Sequence, residues 1–208
     1  MKSTNKKQRS IQLALGLLVV ISASFLGQCL AQDQAPTEPT RAVRTQLKKA
    51  LNTPKKLAVL AKKLLSPLEY KVAFESGTER AFKNRYWDNK ASGLYVDLIS
   101  GEPLFSSAHK FRSGTGWPSF DRALGKDVVE VVDTSHGAKR IEVRSKISDI
   151  HLGHVFEDGP RKTTGRRFCI NSAAVRFVPL ADLTKEGYAD FIEEAGLKQV
   201  IKAKKKNK

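Results

Sequence analysis

Cys169 is the residue of this sequence best suited to do chemistry. The chain of 208 residues holds two cysteines, and the other, Cys29, lies in an apolar stretch near the N-terminus. A thiolate is a strong nucleophile and is readily oxidised. An unpaired cysteine is also often an inert small residue of the core, so its surroundings must decide between the two interpretations.

The residues around Cys169 predict a strand with one polar face. In a strand from Arg167 to Asn171, successive side chains point to opposite faces. Phe168 and Ile170 would then face the core, whereas Arg167, Cys169 and Asn171 would share the other face. Because a neighbouring guanidinium lowers the pKa of a thiol, the pattern predicts an activated nucleophile at Cys169.

Two of the four histidines lie three positions apart, at His151 and His154. On a helix this spacing would suggest metal ligands, but the glycine between them and the Val-Phe pair that follows favour a turn entering a strand. In that strand His154, Phe156 and Asp158 share a face. An acid–base site and an ordinary pair of core or surface histidines are both open at this point.

Trp117 is enclosed between Gly116 and Pro118 in the stretch SGTGWPSF. Its backbone is therefore restricted, and its indole could form the wall of an apolar pocket. Burial in the core is the commoner fate of tryptophan, so both interpretations stand.

The elements that must position these residues are short. From Pro67 onward, β-forming runs alternate with turn signals such as SGTG and DGP. This pattern predicts a mainly β domain of antiparallel sheets with short flanking helices at both ends. A helix is expected from Thr184, as its cap, to Ala195. The predicted strands are Tyr70–Phe74, Gly93–Leu98, Asp127–Asp133, Arg140–Arg144, His154–Phe156, Arg167–Asn171 and Val175–Pro179.

The segment 41–65 is strongly basic and carries leucines at helical spacing, interrupted by Pro54. It predicts two short amphipathic helices. A solvated extension packed on the domain is preferred over attachment to acidic lipid or nucleic acid, because runs of charge are usually solvated faces.

The first 31 residues have the pattern of a secretory signal peptide. Basic residues precede an uncharged run from Ile11 to Leu26, and Cys29-Leu-Ala31 offers small residues at a cleavage site. Cleavage is preferred over an uncleaved membrane anchor, because the apolar run is slightly short for a span. Acylation of Cys29 is a weaker alternative. We therefore expect export to the periplasm or the extracellular space, with membrane anchoring as the alternative.

Together the motifs resemble one family, the B-type methionine-R-sulfoxide reductases. The resemblance covers roughly residues 67 to 180, about half of the chain, in the order and spacing of that family. It begins at EYKV and GTERAF, and its most specific stretches are GWPSF, HLGHVF, DGP and RFCINS. It implies the antiparallel β fold of these enzymes.

The resemblance implies that Cys169 attacks the sulfur of methionine-R-sulfoxide. Methionine is released and Cys169 becomes a sulfenic acid. The sulfoxide oxygen is a poor leaving group unless it is protonated, and His151 and His154 would supply the proton. Asp158 and Arg167 would shape the charge around the site.

Three further roles follow from the same resemblance. Asn171 would orient polar groups beside the nucleophile. Trp117 would hold the S-methyl group of the substrate by apolar contact, and Phe156 would also contact the substrate.

The chain departs from many family members where these carry two Cys-x-x-Cys pairs that bind structural zinc. The matching positions hold Asp97, Ser100, Ser145 and Ser148. One aspartate and three serines cannot form a tetrahedral thiolate site. We therefore expect neither zinc nor another cofactor.

A second departure concerns recycling. Family members that resolve the sulfenic acid internally often carry a cysteine where this chain has Thr115. An external reductant, a thioredoxin-like protein or a small thiol, is therefore expected to regenerate Cys169. The expected substrates are oxidised proteins, with free methionine sulfoxide as an open alternative. The protein is expected to be a monomer, without a nucleic acid partner and without membrane contact after signal cleavage.

These inferences divide the chain into four parts. Residues 1–31 are the expected signal peptide, and 32–66 are a linker with the basic helical extension. Residues 67–183 are the expected reductase domain, and 184–208 are a C-terminal helix with a basic tail.

Two other functions compete with reduction of methionine sulfoxide. The first is a binding module on the same scaffold, which would recruit acidic polymers through Arg41–Lys63 and the C-terminal lysines. The basic segments lack aromatic residues, which argues against a binder of single-stranded nucleic acid. The second is a thiol-dependent peroxidase, which would share the activated Cys169 but would not need the methyl pocket.

Overall fold

The computed structural model describes residues 38–200, which form a mainly β structure of antiparallel strands. The predicted fold class is confirmed. One sheet has three strands in the order β2-β1-β9, and the other has six in the order β3-β4-β8-β7-β6-β5. The strands are β1 Gly93–Asp97, β2 Pro103–Ser106, β3 Lys110–Phe111, β4 Ser119–Phe120, β5 Val128–Asp133, β6 Arg140–Ser145, β7 His151–Phe156, β8 Arg167–Ile170 and β9 Val175–Pro179.

The predicted signal peptide with Cys29, the first part of the linker and the basic tail lie outside the described residues. Within residues 38–200, no helix is both long enough and apolar enough to cross a membrane.

The basic segment forms two amphipathic helices, as predicted. The hydroxyl of Thr40 accepts a hydrogen bond at the start of the first, and Pro54 occupies the first turn of the second, where a missing N–H costs nothing. Leu47, Leu57 and Ala61 are buried, while the lysines face solvent. Four α-helices are α1 Arg41–Lys48, α2 Pro54–Leu64, α3 Pro67–Glu75 and α4 Phe191–Glu194, and residues 198–200 are also helical.

The strand predicted at Tyr70–Phe74 is wrong, because these residues belong to α3. Ser66 and Glu69 form a capping box, in which each side chain accepts a hydrogen bond from the backbone N–H of the other residue. Pro67 occupies the first turn of the helix. The Ser-Pro-Leu-Glu start signal outweighs the β propensity of the aromatic residues that follow.

The C-terminal helix is shorter than predicted. Turns occupy the region from Thr184 to Asp190, and only Phe191–Glu194 is α-helical. Gly187 has a φ of 87°, which is left-handed and interrupts any helix there. Leu183 is fully buried just before these turns, so the chain follows the core rather than one continuous helix.

A cluster of aromatic residues packs against the core-facing side of the six-stranded sheet. Phe105 and Phe120 stack with ring centroids 4.7 Å apart, and Tyr95 packs edge-on against Phe120 at 4.9 Å. Phe168 and Ile170 of β8 are buried in the same core, as the period-two pattern predicted. The opposite face of β8 is therefore the face available for chemistry.

Candidate active site

Cys169 lies in a row of side chains that crosses the six-stranded sheet. The strand register places Ser119 of β4 opposite Cys169 of β8, Cys169 opposite His154 of β7, and His154 opposite Glu142 of β6. Residues directly opposite in antiparallel pairs point to the same face, with Cβ atoms about 4.5–5.5 Å apart. Cys169 is partly exposed there. The expected nucleophile and one expected acid are therefore neighbours.

Gly153 allows the nucleophile strand to approach the histidine strand. A Cβ atom at position 153 would lie 2.0 Å from the backbone oxygen of Cys169, so no side chain larger than hydrogen fits. The glycine does not end a turn, as the sequence pattern suggested, because β7 already begins at His151. Its role is the close pairing of the two strands.

Arg167 joins three of the predicted site residues. Its guanidinium donates two hydrogen bonds to the carboxylate of Asp158, at 2.8 and 2.9 Å. It also lies 4.5 Å from the ring centroid of Phe156, which is a cation–π contact. The side chain of Arg167 also donates a hydrogen bond to Cys169. The structure thus brings Arg167, Asp158, Phe156 and Cys169 together.

The net effect of these surroundings on the thiol differs from the prediction. Burial raises the pKa of the Cys169 thiol, while the charge of Arg167 and hydrogen bonds from Thr115 and Arg167 oppose the rise. The predicted lowering is wrong, because the sequence reveals the guanidinium but neither the burial nor the sharing of that guanidinium with Asp158. Without substrate, Cys169 therefore carries its proton at neutral pH.

Alkylation of Cys169 by iodoacetamide is expected to be slow at neutral pH, because only the thiolate reacts. Since the pKa is raised, the rate should increase at a higher pH than for an unstructured cysteine peptide. Replacing Arg167 with methionine removes the charge and should move this increase to still higher pH. Mass spectrometry of labelling against pH measures both curves, with the exposed Arg161→Met as the matched control. A wild-type curve centred below that of the peptide contradicts the assignment.

His154 is held by a carboxylate. Its Nε2 lies 2.8 Å from Oδ2 of Asp133, at the end of β5. Its ring packs against that of His151, with centroids 5.4 Å apart. His154 retains some exposure, so it is the histidine that can reach a substrate on the open face.

His151 occupies a different environment, since it is almost fully buried. Its Nδ1 lies 2.6 Å from Oε1 of Glu142, and its Nε2 is buried without a hydrogen-bond partner. Burial lowers the pKa of His151, although Glu142 opposes this change. His151 is therefore the more deeply buried member of the pair.

The two histidines line a cavity of about 290 Å³. Its walls come from the end of α3 and from the strands β5, β6 and β7, so it lies on the histidine side of the row. The remaining lining residues are Glu75, Ser76, Asp133, Ser135, Arg140 and Glu142. Charged groups dominate, so this space suits water and polar groups rather than a methyl group.

Trp117 and Asn171 are joined through Glu79. The indole Nε1 donates to the backbone oxygen of Glu79 at 3.1 Å, and the side-chain oxygen of Asn171 accepts from the backbone N–H of Glu79 at 3.1 Å. The amide nitrogen of Asn171 donates to the backbone oxygen of Leu152 at 3.2 Å. Asn171 thus links the backbone of Glu79, which holds the Trp117 indole, to β7.

Glu79 is a buried carboxylate that the sequence analysis did not select. Its two oxygens accept hydrogen bonds from the backbone N–H groups of Ser172 and Ala173. Burial raises its pKa to about 7, and these hydrogen bonds limit the rise. Its position within the GTERAF motif is the feature of the sequence that could have identified it.

Asp133 and Glu142 were also missed, although both contact the histidines. Glu142 lies between Ile141 and Val143 in β6, so alternation places it on the polar face. Asp133 closes the predicted strand 127–133. A charged residue within a strand or at its end indicates a candidate site residue. The residue that it contacts depends on strand register, which the sequence alone does not specify.

Three hydroxyl groups lie on the other side of Cys169. The hydroxyls of Ser113 and Thr115 are 2.9 Å apart, and that of Ser119 donates to Ser113 at 2.7 Å. Thr115 in turn donates to the thiol of Cys169. The position where related enzymes often carry a resolving cysteine is therefore in direct contact with the nucleophile.

The positions that match the family's zinc ligands meet at one buried corner. Oδ1 of Asp97 accepts from the N–H groups of Ile99 and Ser100, at 2.6 and 2.7 Å, and Oδ2 accepts from the hydroxyl of Ser148 at 2.5 Å. The hydroxyl of Ser145 accepts from the N–H of Ser148 at 3.4 Å. Both carboxylate oxygens are thus engaged, and serine hydroxyls are poor zinc ligands. This donor set does not fit structural zinc.

A comparison with protein families adds independent support. The family model of the SelR domain matches residues 65–179, which is more than half of the chain and includes the row around Cys169. The match spans both the tryptophan loop and the strands β1 to β9. The chain therefore belongs to the SelR domain family, the methionine-R-sulfoxide reductases of the B type.

Proposed function

We propose that this protein reduces methionine-R-sulfoxide to methionine, with Cys169 as nucleophile and a cysteine sulfenic acid as intermediate. The family acts on oxidised methionine in proteins and uses a thiol reductant. The observation that carries the proposal for this chain is the pairing of Cys169 with His154 on the open face, beside Arg167.

The proposed first step transfers one oxygen atom. The sulfur of Cys169 attacks the sulfoxide sulfur, the S–O bond of the substrate breaks, and an S–O bond to Cys169 forms. The methionine sulfur gains two electrons, and the cysteine sulfur loses two. Because Cys169 starts as a thiol, its proton can end on the transferred oxygen, so no outside proton is consumed.

The surrounding groups have distinct proposed roles. His154 passes the proton to the sulfoxide oxygen as that oxygen is transferred. Arg167 stabilises negative charge on Cys169 when the thiol proton leaves, with its own position fixed by Asp158. Trp117 provides the apolar surface for the S-methyl group, and Asn171 fixes that loop.

Regeneration requires an external thiol in this proposal. Two thiol groups reduce the sulfenic acid, which returns Cys169 to the thiol and releases a disulfide and water. Cys169 is the only cysteine in residues 38–200, so no partner cysteine of this region can take part. A thioredoxin-like protein or a small thiol fits this requirement.

Replacing Thr115 with cysteine is expected to convert recycling to an internal disulfide. Thr115 already contacts the Cys169 thiol, so a cysteine there should attack the sulfenic acid after one turnover. Mass spectrometry after substrate addition without reductant should find the 115–169 disulfide. Thr115→Ser is the matched control and should leave Cys169 oxidised but unpaired. If Thr115→Cys also stays unpaired, the contact does not persist during turnover.

A stereochemical assay tests the proposed function. Purified protein with dithiothreitol should consume the R epimer of methionine sulfoxide, in a peptide or as the free amino acid, and leave the S epimer. Consumption of the S epimer alone contradicts the proposal. Hydrogen peroxide as an alternative oxidant separates the reductase from a thiol peroxidase, because the peroxidase would turn over peroxide faster than the sulfoxide.

A further inference from the structure

Asp133 reaches the active site from the edge of the sheet. Its Oδ2 lies 2.8 Å from Nε2 of His154, and both side chains are largely buried. His154 is the cross-strand neighbour of Cys169. The three side chains thus form a nucleophile, imidazole and carboxylate series across β8, β7 and β5.

Asp133 is held as an anion by other groups. Oδ1 accepts from the backbone N–H of Ser135 at 2.8 Å, and the guanidinium of Arg140 donates to Oδ2 at 2.7 Å. Hydrogen bonds from Ser135, His154 and Arg140 keep the pKa of Asp133 well below its usual range. An ionised carboxylate only accepts hydrogen bonds, so Nε2 of His154 must carry the proton that the two share. In the neutral ring, Nδ1 is then the nitrogen with the lone pair.

The second histidine has the opposite arrangement. The carboxylate of Glu142 bonds Nδ1 of His151, which assigns the proton of the neutral ring to Nδ1. His151 is also almost fully buried, whereas His154 keeps access to the open face. The two carboxylates therefore hold the two rings in different tautomers, and only one ring is placed to exchange a proton with substrate.

We propose that Asp133 is a positioning residue that holds His154 in the Nε2–H tautomer and stabilises its imidazolium during proton transfer. This inference rests on the proposed function. The proton leaves the Cys169 thiol for Nδ1 of His154 and then moves to the sulfoxide oxygen, so the histidine ends unchanged. A fixed carboxylate behind the ring lowers the free energy of the intermediate imidazolium, as in nucleophile–histidine–acid triads.

Other titratable groups also lie near His154. They come from every element around the ring: Glu75 of α3, Arg140 and Glu142 of β6, His151 of β7, and Cys169 and Arg167 of β8. Glu142 and Arg140 are themselves paired, with His151 and Asp133 respectively. Asp133 is thus the anion in direct contact with the His154 ring.

The first test needs no variant and no substrate. The ¹⁵N chemical shifts of the His154 ring should report the Nε2–H tautomer at a pH where the ring is neutral, and the presence of only four histidines in the chain simplifies assignment. A dominant Nδ1–H tautomer overturns the proposal, even if the enzyme is active. Conversely, a wild-type enzyme that is inactive on both sulfoxide epimers overturns the proposed function but not the tautomer.

The second test is Asp133→Asn, which keeps the shape and removes the charge. We expect kcat to fall about tenfold or more with little change in KM, since acid–base groups contribute about 10²-fold to 10⁴-fold and Asp133 acts through one of them. An unchanged kcat contradicts the proposal.

Two controls separate positioning from simple stability. Glu130→Gln removes another ion pair of β5, with Arg166, and should leave kcat unchanged. In the His154→Asn variant, adding Asp133→Asn should cause no further fall in kcat, because Asp133 acts through His154. An equal loss of kcat in both backgrounds would mean that Asp133 supports only the folding of β5 against β6.

Discussion

Cys169→Ser is expected to lower the rate of methionine-R-sulfoxide reduction at least about a thousandfold, because loss of the nucleophile removes the whole pathway. A serine hydroxyl cannot accept the sulfoxide oxygen as a sulfenic acid does. Its oxygen can still accept the hydrogen bond from Thr115, and the position is partly exposed, so the fold should persist. Reduction of the R epimer with dithiothreitol measures the rate, and thermal unfolding checks the fold.

The chain offers a matched control in its other cysteine. In the full-length chain of 208 residues, Cys29→Ser makes the same chemical change at a site that the proposed mechanism does not use, and it should leave the rate unchanged. Substantial activity of the Cys169 variant, or loss of activity in the Cys29 variant, would place the nucleophile elsewhere.

The second large effect concerns stability rather than turnover. Asp97→Ala is expected to destabilise the protein by about 3 kcal/mol or more, because it leaves two backbone N–H groups and one hydroxyl without their acceptor. Each buried unsatisfied group costs about 1–3 kcal/mol. The loss should appear as a melting temperature lower by roughly 6–12 °C for a protein of this size.

Asp97→Asn is the informative comparison. Its side-chain oxygen can still accept from Ile99 and Ser100, and its amide can donate to Ser148, so it should lose much less stability than the alanine variant. Asp88→Ala at an exposed position should have almost no effect. Equal stability of Asp97→Ala and wild type would mean that the corner is not held by these bonds.

The sequence predicted where the residues of β8 lie in the candidate site. Period-two alternation placed Phe168 and Ile170 in the core and Cys169 on the open face, and this pattern is local to one strand. The amphipathic helices of the basic segment were likewise visible, because leucine spacing and Pro54 are local signals. The antiparallel β class followed from the same short-range evidence.

The rest of the candidate site depends on which strands pair and in what register. Asp133 and Glu142 contact the histidines only because β5, β6 and β7 are neighbours, and no local pattern specifies that pairing. The rise in the pKa of Cys169 has the same origin, since burial is a property of the assembled sheet. Local sequence thus identifies the proposed nucleophile, whereas the pairing of strands brings the histidines and their carboxylates beside it.

The corner built around Asp97 and Ser148 also affects how the protein withstands the oxidants that convert methionine to methionine sulfoxide. A zinc site of four thiolates can be oxidised and lose its metal, but carboxylate and hydroxyl groups contain no sulfur to attack. The single methionine of the chain is Met1, so Cys169 carries the only sulfur atom between residues 38 and 200. In this region, an oxidant selective for sulfur reaches only Cys169. The first product, a sulfenic acid, can be reduced by thiols, and the fold around it holds no other sulfur to oxidise.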